Sequence, residues 1–223
     1  MFTTDGSLPQ GRASRNLCPM SPSNQRDTAD MKSLSDQELM RRVQNGDHGS
    51  ASEIFERYGR RIYNFAYRFL RNGEAAEDAT QEVFVKMLKN SRQFQGDAKL
   101  STWLFSITAN FCRDHLRKAD NKPKESEETL AMIADQTVLA ADRQMQRRED
   151  QTRVRRALLQ LTAEQREAIL LSRYQGLSYA EIAEVAGCSE GAVKTRVFRA
   201  MESLKKILAS DGEGGEQWLN AAR

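Results

Sequence analysis

The sequence predicts an all-α protein built from two small helical domains joined by a flexible linker, the C-terminal one a helix-turn-helix. Apolar residues recur at intervals of three and four along two long stretches, which indicates amphipathic helices. Several predicted helix starts carry Ser or Thr three residues before Glu or Gln, the pattern of a capping box. Between the two stretches lies a charged interval that contains Pro123 and few large apolar residues. Charged residues make up 29% of the 223 residues and aromatic residues 7%, which favours small solvated bundles over one thick core.

The first 32 residues predict a disordered arm. They contain three of the four prolines, together with Ser, Asn, Thr and Gly, and show no apolar period. Such a segment buries too little apolar surface to offset the entropy of ordering.

The first predicted domain covers residues 33–118. Ser35 and Glu38 form a capping box ahead of the first helix, and a break is expected from Gly46 to Gly49. A long amphipathic helix follows and ends at Asn72-Gly73. Further helices are predicted over 75–88 and 102–116, with a glycine-containing loop over 94–100. The residues that give the long helix its period are Ile54, Phe55, Tyr58, Ile62, Phe65, Ala66, Phe69 and Leu70.

Residues 119–150 form an acidic linker, and residues 210–223 form a flexible tail rich in Gly and Glu. The linker carries eight acidic residues against five basic residues. One interpretation of this composition is a solvated, disordered spacer.

The second predicted domain covers residues 151–209 and ends in a helix-turn-helix. Capping boxes begin at Thr162 and Ser178, Gly187 stands where the first helix must turn, and Ser189 caps the second. The second helix has an apolar side formed by Val193, Val197, Ala200, Met201 and Leu204. Its other side carries Lys194, Thr195, Arg196 and Arg199, the kind of surface that reads a DNA major groove. The alternative is an ordinary helical hairpin with a solvated basic face.

The net charge is only +3, but the basic residues are gathered in two clusters. Residues 188–206 carry five Lys or Arg against two acids, and residues 99–118 carry four against one. The basic charge is therefore gathered in two separate places with an acidic stretch between them, and the net charge alone does not indicate a nucleic-acid binder.

The sequence gives no sign of catalytic, metal or cofactor chemistry. Cys18, Cys112 and Cys188 lie far apart without a CxxC pair, and His48 and His115 have no ligand-like neighbours. Neither a phosphate-binding glycine loop nor a nucleophile–base pair is present as a motif. We therefore expect a protein that is not an enzyme. A membrane span and an apolar signal core are also missing, so we expect it to be cytoplasmic.

Three strings in order resemble the bacterial RNA polymerase sigma factors of the extracytoplasmic-function type. AEDATQEVFVKML (76–88) is similar to the family's core-binding helix, and STWLFSITANFCRDHLRK (101–118) to its downstream-promoter helix. The stretch from 161 to 206 is similar to its upstream-promoter domain. The resemblance covers about 35–208 and implies a specificity subunit that directs transcription initiation, commonly in a stress response.

The resemblance assigns residues to a polymerase-binding surface and to a downstream (−10) surface. Docking on the core polymerase is assigned to Asp78, Gln81, Glu82 and Phe84. Two alternatives are open: the helix dipole favours acids early in a helix in any case, and Phe84 could belong to the hydrophobic core. The −10 residues are Asn110, Arg113, Arg117 and Lys118, with Phe94, Gly96 and Lys99 in the preceding loop. Asn110 is the candidate reader of a flipped base, because an amide donates and accepts hydrogen bonds; the alternative is that it braces the bundle.

The upstream (−35) surface is predicted to consist of Lys194, Thr195, Arg196, Phe198 and Arg199. Lys194 and Arg199 suit guanine acceptors, whereas Arg196 suits a phosphate. The partners implied are the core polymerase, through its largest-subunit clamp coiled coil and its flap, then promoter DNA and an anti-sigma factor. The acidic linker would thread the polymerase's basic cleft. A stand-alone helix-turn-helix regulator is the alternative function, but such a protein has no need of the 76–88 segment.

Overall fold

The computed structural model describes residues 31–120 and 152–210. Within these ranges every regular element is a helix, which confirms the predicted fold class. The predicted arm, linker and tail lie almost wholly outside the described residues. The chain divides into two compact units, Met1–Leu34 and Ser35–Arg223. In the first unit, the described residues 31–34 form a turn in which Leu34 N donates to Met31 O at 3.2 Å.

The N-terminal bundle, residues 35–120, starts with helix α1 (Asp36–Gln44). Ser35 caps this helix, since its Oγ accepts from the Glu38 amide at 3.2 Å. The carboxylate of Glu38 does not complete the predicted box but pairs with Arg41 at 2.7 Å and Arg42 at 3.3 Å.

Helix α2 (His48–Leu70) begins earlier than the sequence predicted. Gly46 makes the turn with φ +87°, and Asp47 then caps α2 by accepting from the amides of Gly49 at 2.9 Å and Ser50 at 3.4 Å. The break therefore ends before Gly49, which lies within the first turn of α2. A carboxylate cap was available one residue after the turn, and it determines the start of the helix.

The boundary between α2 and helix α3 (Gly73–Lys89) also differs from the prediction. Arg71, not Asn72-Gly73, ends α2 in the left-handed conformation with φ 59°. Asn72 instead begins the next helix, since its Oδ1 accepts from the Ala75 amide at 3.0 Å. An Asn that could stop one helix thus caps the following one, and Gly73 is already helical.

A short 3₁₀ turn (Ser91–Gln93) and a loop lead from α3 to helix α4 (Leu100–Asp120). The apolar sides of α1 to α4 meet in one core, in which the Phe65 and Phe105 rings lie 5.7 Å apart. Its largest fully buried side chains are Phe65, Phe69, Phe105, Leu39, Met40, Ile54, Ile62, Met87, Leu100 and Leu104.

The C-terminal bundle, residues 152–210, contains a helical segment over 152–159 and three further helices. They are α5 (Ala163–Ile169), α6 (Tyr179–Ala186) and α7 (Glu190–Ser210). Both predicted capping boxes form with both hydrogen bonds, at Thr162 with Gln165 and at Ser178 with Glu181. Gly187 adopts φ 61° at the predicted turn, so α6 and α7 form the expected helix-turn-helix.

One element was not predicted. After Ile169 the helix continues as a π-helical segment, Leu170–Tyr174, before Gly176 turns the chain with φ +69°. This segment packs against α2, and α6 packs against α4. The two bundles are therefore in direct contact within the unit Ser35–Arg223.

Candidate polymerase and nucleic-acid interfaces

Helix α7 presents the predicted upstream-reading residues on its exposed side. Ser189 fixes the start of the helix, because its Oγ accepts from the Ala192 amide at 3.2 Å. The opposite side is buried through Val193, Val197, Ala200, Leu204 and Leu208. Lys194, Thr195, Phe198 and Arg199 are all exposed, and Phe198 keeps 66% of its surface open. An aromatic ring this exposed on a basic helix is available to a thymine methyl group or another partner.

Arg196 differs from the other four upstream candidates. It is only half-exposed, and its Nη1 contacts Cys188 Sγ at 3.4 Å, at the turn between α6 and α7. Thr195 Oγ1 donates to Gly191 O at 3.0 Å and Lys194 pairs with Glu190 at 3.2 Å, both within their own helix. The structure thus places four residues on one open face and Arg196 at its edge.

Of the downstream candidates on α4, Arg113 lies against the C-terminal bundle, whereas Asn110, Arg117 and Lys118 are exposed. Asn110 is exposed, and its Oδ1 accepts from Arg113 Nη2. Arg113 also donates to Glu167 Oε1 at 3.2 Å and to Val185 O at 3.3 Å. Arg117 pairs with Asp114 at 3.0 Å and, like Lys118, is exposed to solvent. Asn110 and Arg113 therefore form one hydrogen-bonded group, with Arg117 further along the helix.

The loop before α4 divides its candidate residues between two sides. Phe94 is buried, and its ring lies 5.4 Å from the Trp103 ring. Lys99 is exposed and pairs with Glu181 Oε1 of α6 at 2.9 Å. The amide cap from Ser178 and this lysine lower the pKa of Glu181 to about 2, so the carboxylate is charged at neutral pH.

A cavity of about 270 Å³ opens between this loop and α1. Gln44 Nε2 donates to Ser91 O and to Phe94 O, both at 2.9 Å, and thereby fixes the loop backbone. Gln37 Nε2 donates to Gly96 O at 3.4 Å. The residues that line the cavity are Gln37, Arg41, Gln44, Phe94, Gln95 and Gly96. Sequence reasoning found Phe94 and Gly96 but missed the three α1 residues, since nothing local links them to a loop some 50 residues away.

Helix α3 carries the predicted polymerase-binding residues on its exposed side, with one exception. Asp78 and Gln81 are exposed, and Glu82 is half-exposed and pairs with Lys86 at 3.3 Å. Phe84 is buried at 8% exposure, with its ring 4.8 Å from that of Phe55. The buried position of Phe84 is thus compatible with the alternative that this residue belongs to the hydrophobic core.

Three exposed apolar residues extend the α3 surface and were not predicted. Phe55 is 49% exposed, Val85 40% and Leu88 48%. Along α3, the exposed residues Asp78, Gln81, Val85 and Leu88 follow one another at intervals of three and four, so they form one stripe. The stripe is polar at its start and apolar at its end. Helical spacing alone could have revealed it.

The described residues contain no group of three or more His, Cys, Asp or Glu side chains that could hold a metal ion. No helix in that part of the chain is both long enough and apolar enough to cross a bilayer.

Family comparisons agree with this arrangement of helices. The family model for sigma-70 region 2 matches residues 54–122, which include the polymerase and −10 candidates. The model for sigma-70 region 4 matches residues 151–204, which include the helix-turn-helix.

Whole-length relatives are similar over most of this chain. RNA polymerase sigma-H factor of Pseudomonas aeruginosa is 33% identical over 180 residues, covering 78% of this chain and 93% of that protein. The extracytoplasmic-function sigma factor SigM of Mycobacterium tuberculosis is 34% identical over 174 residues, covering 78% and 85%. The sigma-E factor of Escherichia coli K12 is 31% identical over 178 residues, covering 77% and 93%.

Two solved structures share the fold. CnrH in complex with the cytosolic domain of CnrY superposes with a TM-score of 0.62 at 25% identity, covering 79% of this chain and 99% of that one. Sigma factor RpoE of Bartonella quintana, bound to the anti-sigma factor NepR, gives a TM-score of 0.59 at 28% identity, covering 72% and 98%.

The chain combines an all-α fold, a helix-turn-helix and a second helical region that matches sigma-70 region 2. This combination defines a sigma-type transcription initiation factor. The chain belongs to the extracytoplasmic-function group of bacterial RNA polymerase sigma factors. It is an alternative sigma factor that directs promoter-specific transcription. The match to region 2 decides against the stand-alone regulator, which would not require that region.

Proposed function

We propose that three surfaces of this sigma factor divide the work of initiation. The α3 stripe docks on the clamp coiled coil of the polymerase largest subunit, the α4 side with its preceding loop reads the −10 element, and α7 reads the −35 element. The two reading surfaces belong to separate domains, residues 33–118 and 151–209, joined by the linker 119–150. The observation that carries this proposal is the open face of α7, where Lys194, Thr195, Phe198 and Arg199 stand opposite a fully buried side.

The chemistry of each surface suits its role. Polar and acidic groups at Asp78, Gln81 and Glu82 offer hydrogen bonds and charge to a basic partner, and the apolar end of the stripe offers buried area. On α4 and α7 the exposed candidate residues carry cationic, amide, hydroxyl and aromatic groups, which is the set that nucleic acid contacts require. None of these surfaces needs covalent chemistry, so we infer that the protein is not itself an enzyme.

The same proposal sets the location and the remaining partners. The protein acts where the polymerase is, in the cytoplasm, and its C-terminal bundle contacts the polymerase flap. We also propose an anti-sigma factor as a regulator, because RpoE of Bartonella quintana was solved with one bound.

The docking assignment is tested by Asp78→Ala combined with Gln81→Ala. Both side chains are exposed, so the double variant should fold normally yet bind core polymerase at least about ten-fold more weakly, since two polar interface contacts are lost. Fluorescence anisotropy of labelled protein titrated with core polymerase measures this. Glu184→Ala, on the exposed side of α6, is the control for removing a surface carboxylate elsewhere. Equal affinity of the double variant and the control would remove the docking assignment from α3.

A further inference from the structure

The first turn of α7 carries an acidic residue to which the proposed function gives no role. Glu190 is the first residue of the helix and follows Ser189, whose Oγ accepts from the Ala192 amide at 3.2 Å. In a helix-turn-helix, the N-terminal residues of the second helix contact the base edges in the major groove. Glu190 therefore stands at the end of α7 that approaches the bases when this helix reads the −35 element.

Glu190 forms an ion pair with one of the proposed base readers. Its Oε1 lies 3.2 Å from Lys194 Nζ, one helical turn further along the chain. The Glu190 side chain is 50% exposed and that of Lys194 is 60% exposed, so both can contact another molecule without any change in the core. The pair thus presents a carboxylate acceptor and an ammonium donor side by side on the surface of α7.

The next residue leaves this turn open to a close approach. Gly191 is exposed, and a Cβ there would come no closer than 4.0 Å to Ser189 Oγ. Packing within the described part of the protein therefore does not require glycine at this position, although glycine is less favourable than alanine in a helix. The missing side chain lets the backbone of α7 come close to a partner, which suits a helix that enters a DNA groove.

A carboxylate at the start of a helix has two different consequences. It interacts favourably with the partial positive charge of the helix N-terminus, and this effect is the same for every DNA sequence. On a DNA-reading surface, however, it also approaches the phosphates and weakens binding, because like charges repel. A base that donates a hydrogen bond to the carboxylate offsets this cost, whereas other bases do not, so the carboxylate discriminates between sequences.

The major-groove edge of a G·C pair is complementary to the Lys194–Glu190 pair. Guanine offers the acceptors N7 and O6, and the cytosine opposite offers its N4 amino donor. Lysine suits the guanine acceptors, and glutamate suits the cytosine amino group. In one reading direction, only G·C presents two acceptors followed by a donor: A·T places its donor between two acceptors, and C·G has the reverse order.

We propose that Glu190 is a specificity-determining residue of the −35 surface, which reads the cytosine of a G·C pair whose guanine is bound by Lys194. Lys194 provides attraction to the groove, and the carboxylate rejects base pairs that lack an amino group at that place. This inference rests on the proposed −35 role of α7.

Glu190→Ala tests the assignment, because alanine preserves the helix and removes the acceptor. Glu202→Ala is the matched control: Glu202 pairs with Lys205 of the same helix at 3.5 Å and lies about 18 Å further from the start of α7. Glu190→Gln is the conservative variant, since its amide oxygen can still accept from cytosine N4.

The readout is the base preference of the full-length protein combined with core polymerase. Each variant selects bound duplexes from a pool of random sequence, and sequencing gives the preference at every position of the −35 element. Glu190→Ala should lose at least about five-fold of its discrimination at one G·C pair, and it should bind unrelated duplexes more tightly. Wild type and Glu202→Ala should agree at every position, and Glu190→Gln should keep part of the discrimination.

Two results would overturn the inference. One is the same preference at every position for Glu190→Ala and wild type. The other is weaker binding of Glu190→Ala to all duplexes alike together with a lower melting temperature, as expected of a residue that only stabilises the start of the helix.

Lys194→Ala and Arg199→Ala separate this failure from failure of the proposed function. Lys194→Ala should relax the same G·C pair as Glu190→Ala. If Lys194→Ala relaxes a base pair and Glu190→Ala relaxes none, only the role of Glu190 is wrong. If neither Lys194→Ala nor Arg199→Ala changes any preference while core binding persists, the proposed −35 surface is wrong as well.

Discussion

At the scale of single residues, the proposed reading face of α7 consists of four exposed side chains and a fifth that is only half-exposed. Lys194, Thr195, Phe198 and Arg199 project from the exposed side, while Arg196 is partly engaged at Cys188. We therefore expect different consequences from residues that look alike in the sequence. An arginine with free donors can read a base edge, whereas one at the turn serves better as a phosphate contact and a brace.

Arg199→Ala should relax −35 specificity at one base pair. Loss of a good base contact costs about 1–3 kcal/mol in binding, and the loss should be confined to one position of the element. Binding to a set of duplexes that each carry one substitution measures this. Arg196→Ala is the companion variant, and it should weaken all duplexes alike and reduce the salt slope by about one. If Arg199→Ala left the order of preference among the duplexes intact, Arg199 would not be a reader.

Asn110→Ala should lower open-complex formation and shrink the penalty for changing one −10 base. Asn110 is exposed and contacts Arg113, so its loss should leave the melting temperature nearly unchanged. Permanganate footprinting of the open complex, together with a thermal melt, distinguishes the possibilities. A large fall in melting temperature with unchanged base preference would make Asn110 a brace and leave base selection to the loop cavity.

At the scale of elements, the features that could be predicted from the sequence were those fixed by interactions between neighbouring residues. The capping boxes at Thr162 and Ser178 and the turn at Gly187 need only neighbouring residues, so they were visible in the chain. Asp47 and Asn72 were also visible as possible caps of α2 and α3. Each of them lies beside a glycine that also signals a helix boundary, so the sequence alone did not say which residue sets it. In both cases the side-chain cap determines where the helix begins.

What depends on distant parts of the chain could not be predicted. The cavity joins α1 to a loop far along the sequence through Gln37 and Gln44, and the Arg113–Glu167 pair joins the two bundles. No periodic pattern records such contacts. The π-helical segment after Ile169 likewise lacks a local signal.

Two glycines four residues apart test the helix-turn-helix geometry. Gly187 has φ 61°, and a Cβ there would meet no atom within 4 Å, so Gly187→Ala should cost about 1 kcal/mol through backbone strain alone. Gly191 is helical and its Cβ would come no closer than 4.0 Å to Ser189 Oγ, so Gly191→Ala should add up to about 1 kcal/mol of stability.

Urea denaturation of both variants measures the two free energies of unfolding. Opposite signs are the expected result. Equal stabilisation by the two alanines would contradict the assigned turn at Gly187.

At the scale of the whole molecule, the proposed function gives a single chain one polymerase-binding stripe and two surfaces for DNA. Arg113 joins α4 to the C-terminal bundle through Glu167 and Val185, while Asn110 of α4 and the open face of α7 are exposed.

The central claim is that this protein gives core polymerase promoter specificity through those surfaces. Run-off transcription with purified core polymerase, this protein and a library of genomic fragments tests it most directly. The account predicts initiation at discrete sites preceded by a shared pair of elements, lost without the protein and strongly reduced by Asp78→Ala with Gln81→Ala. Start sites that are the same with and without the protein, or no initiation on any fragment although core binding occurs, would contradict it.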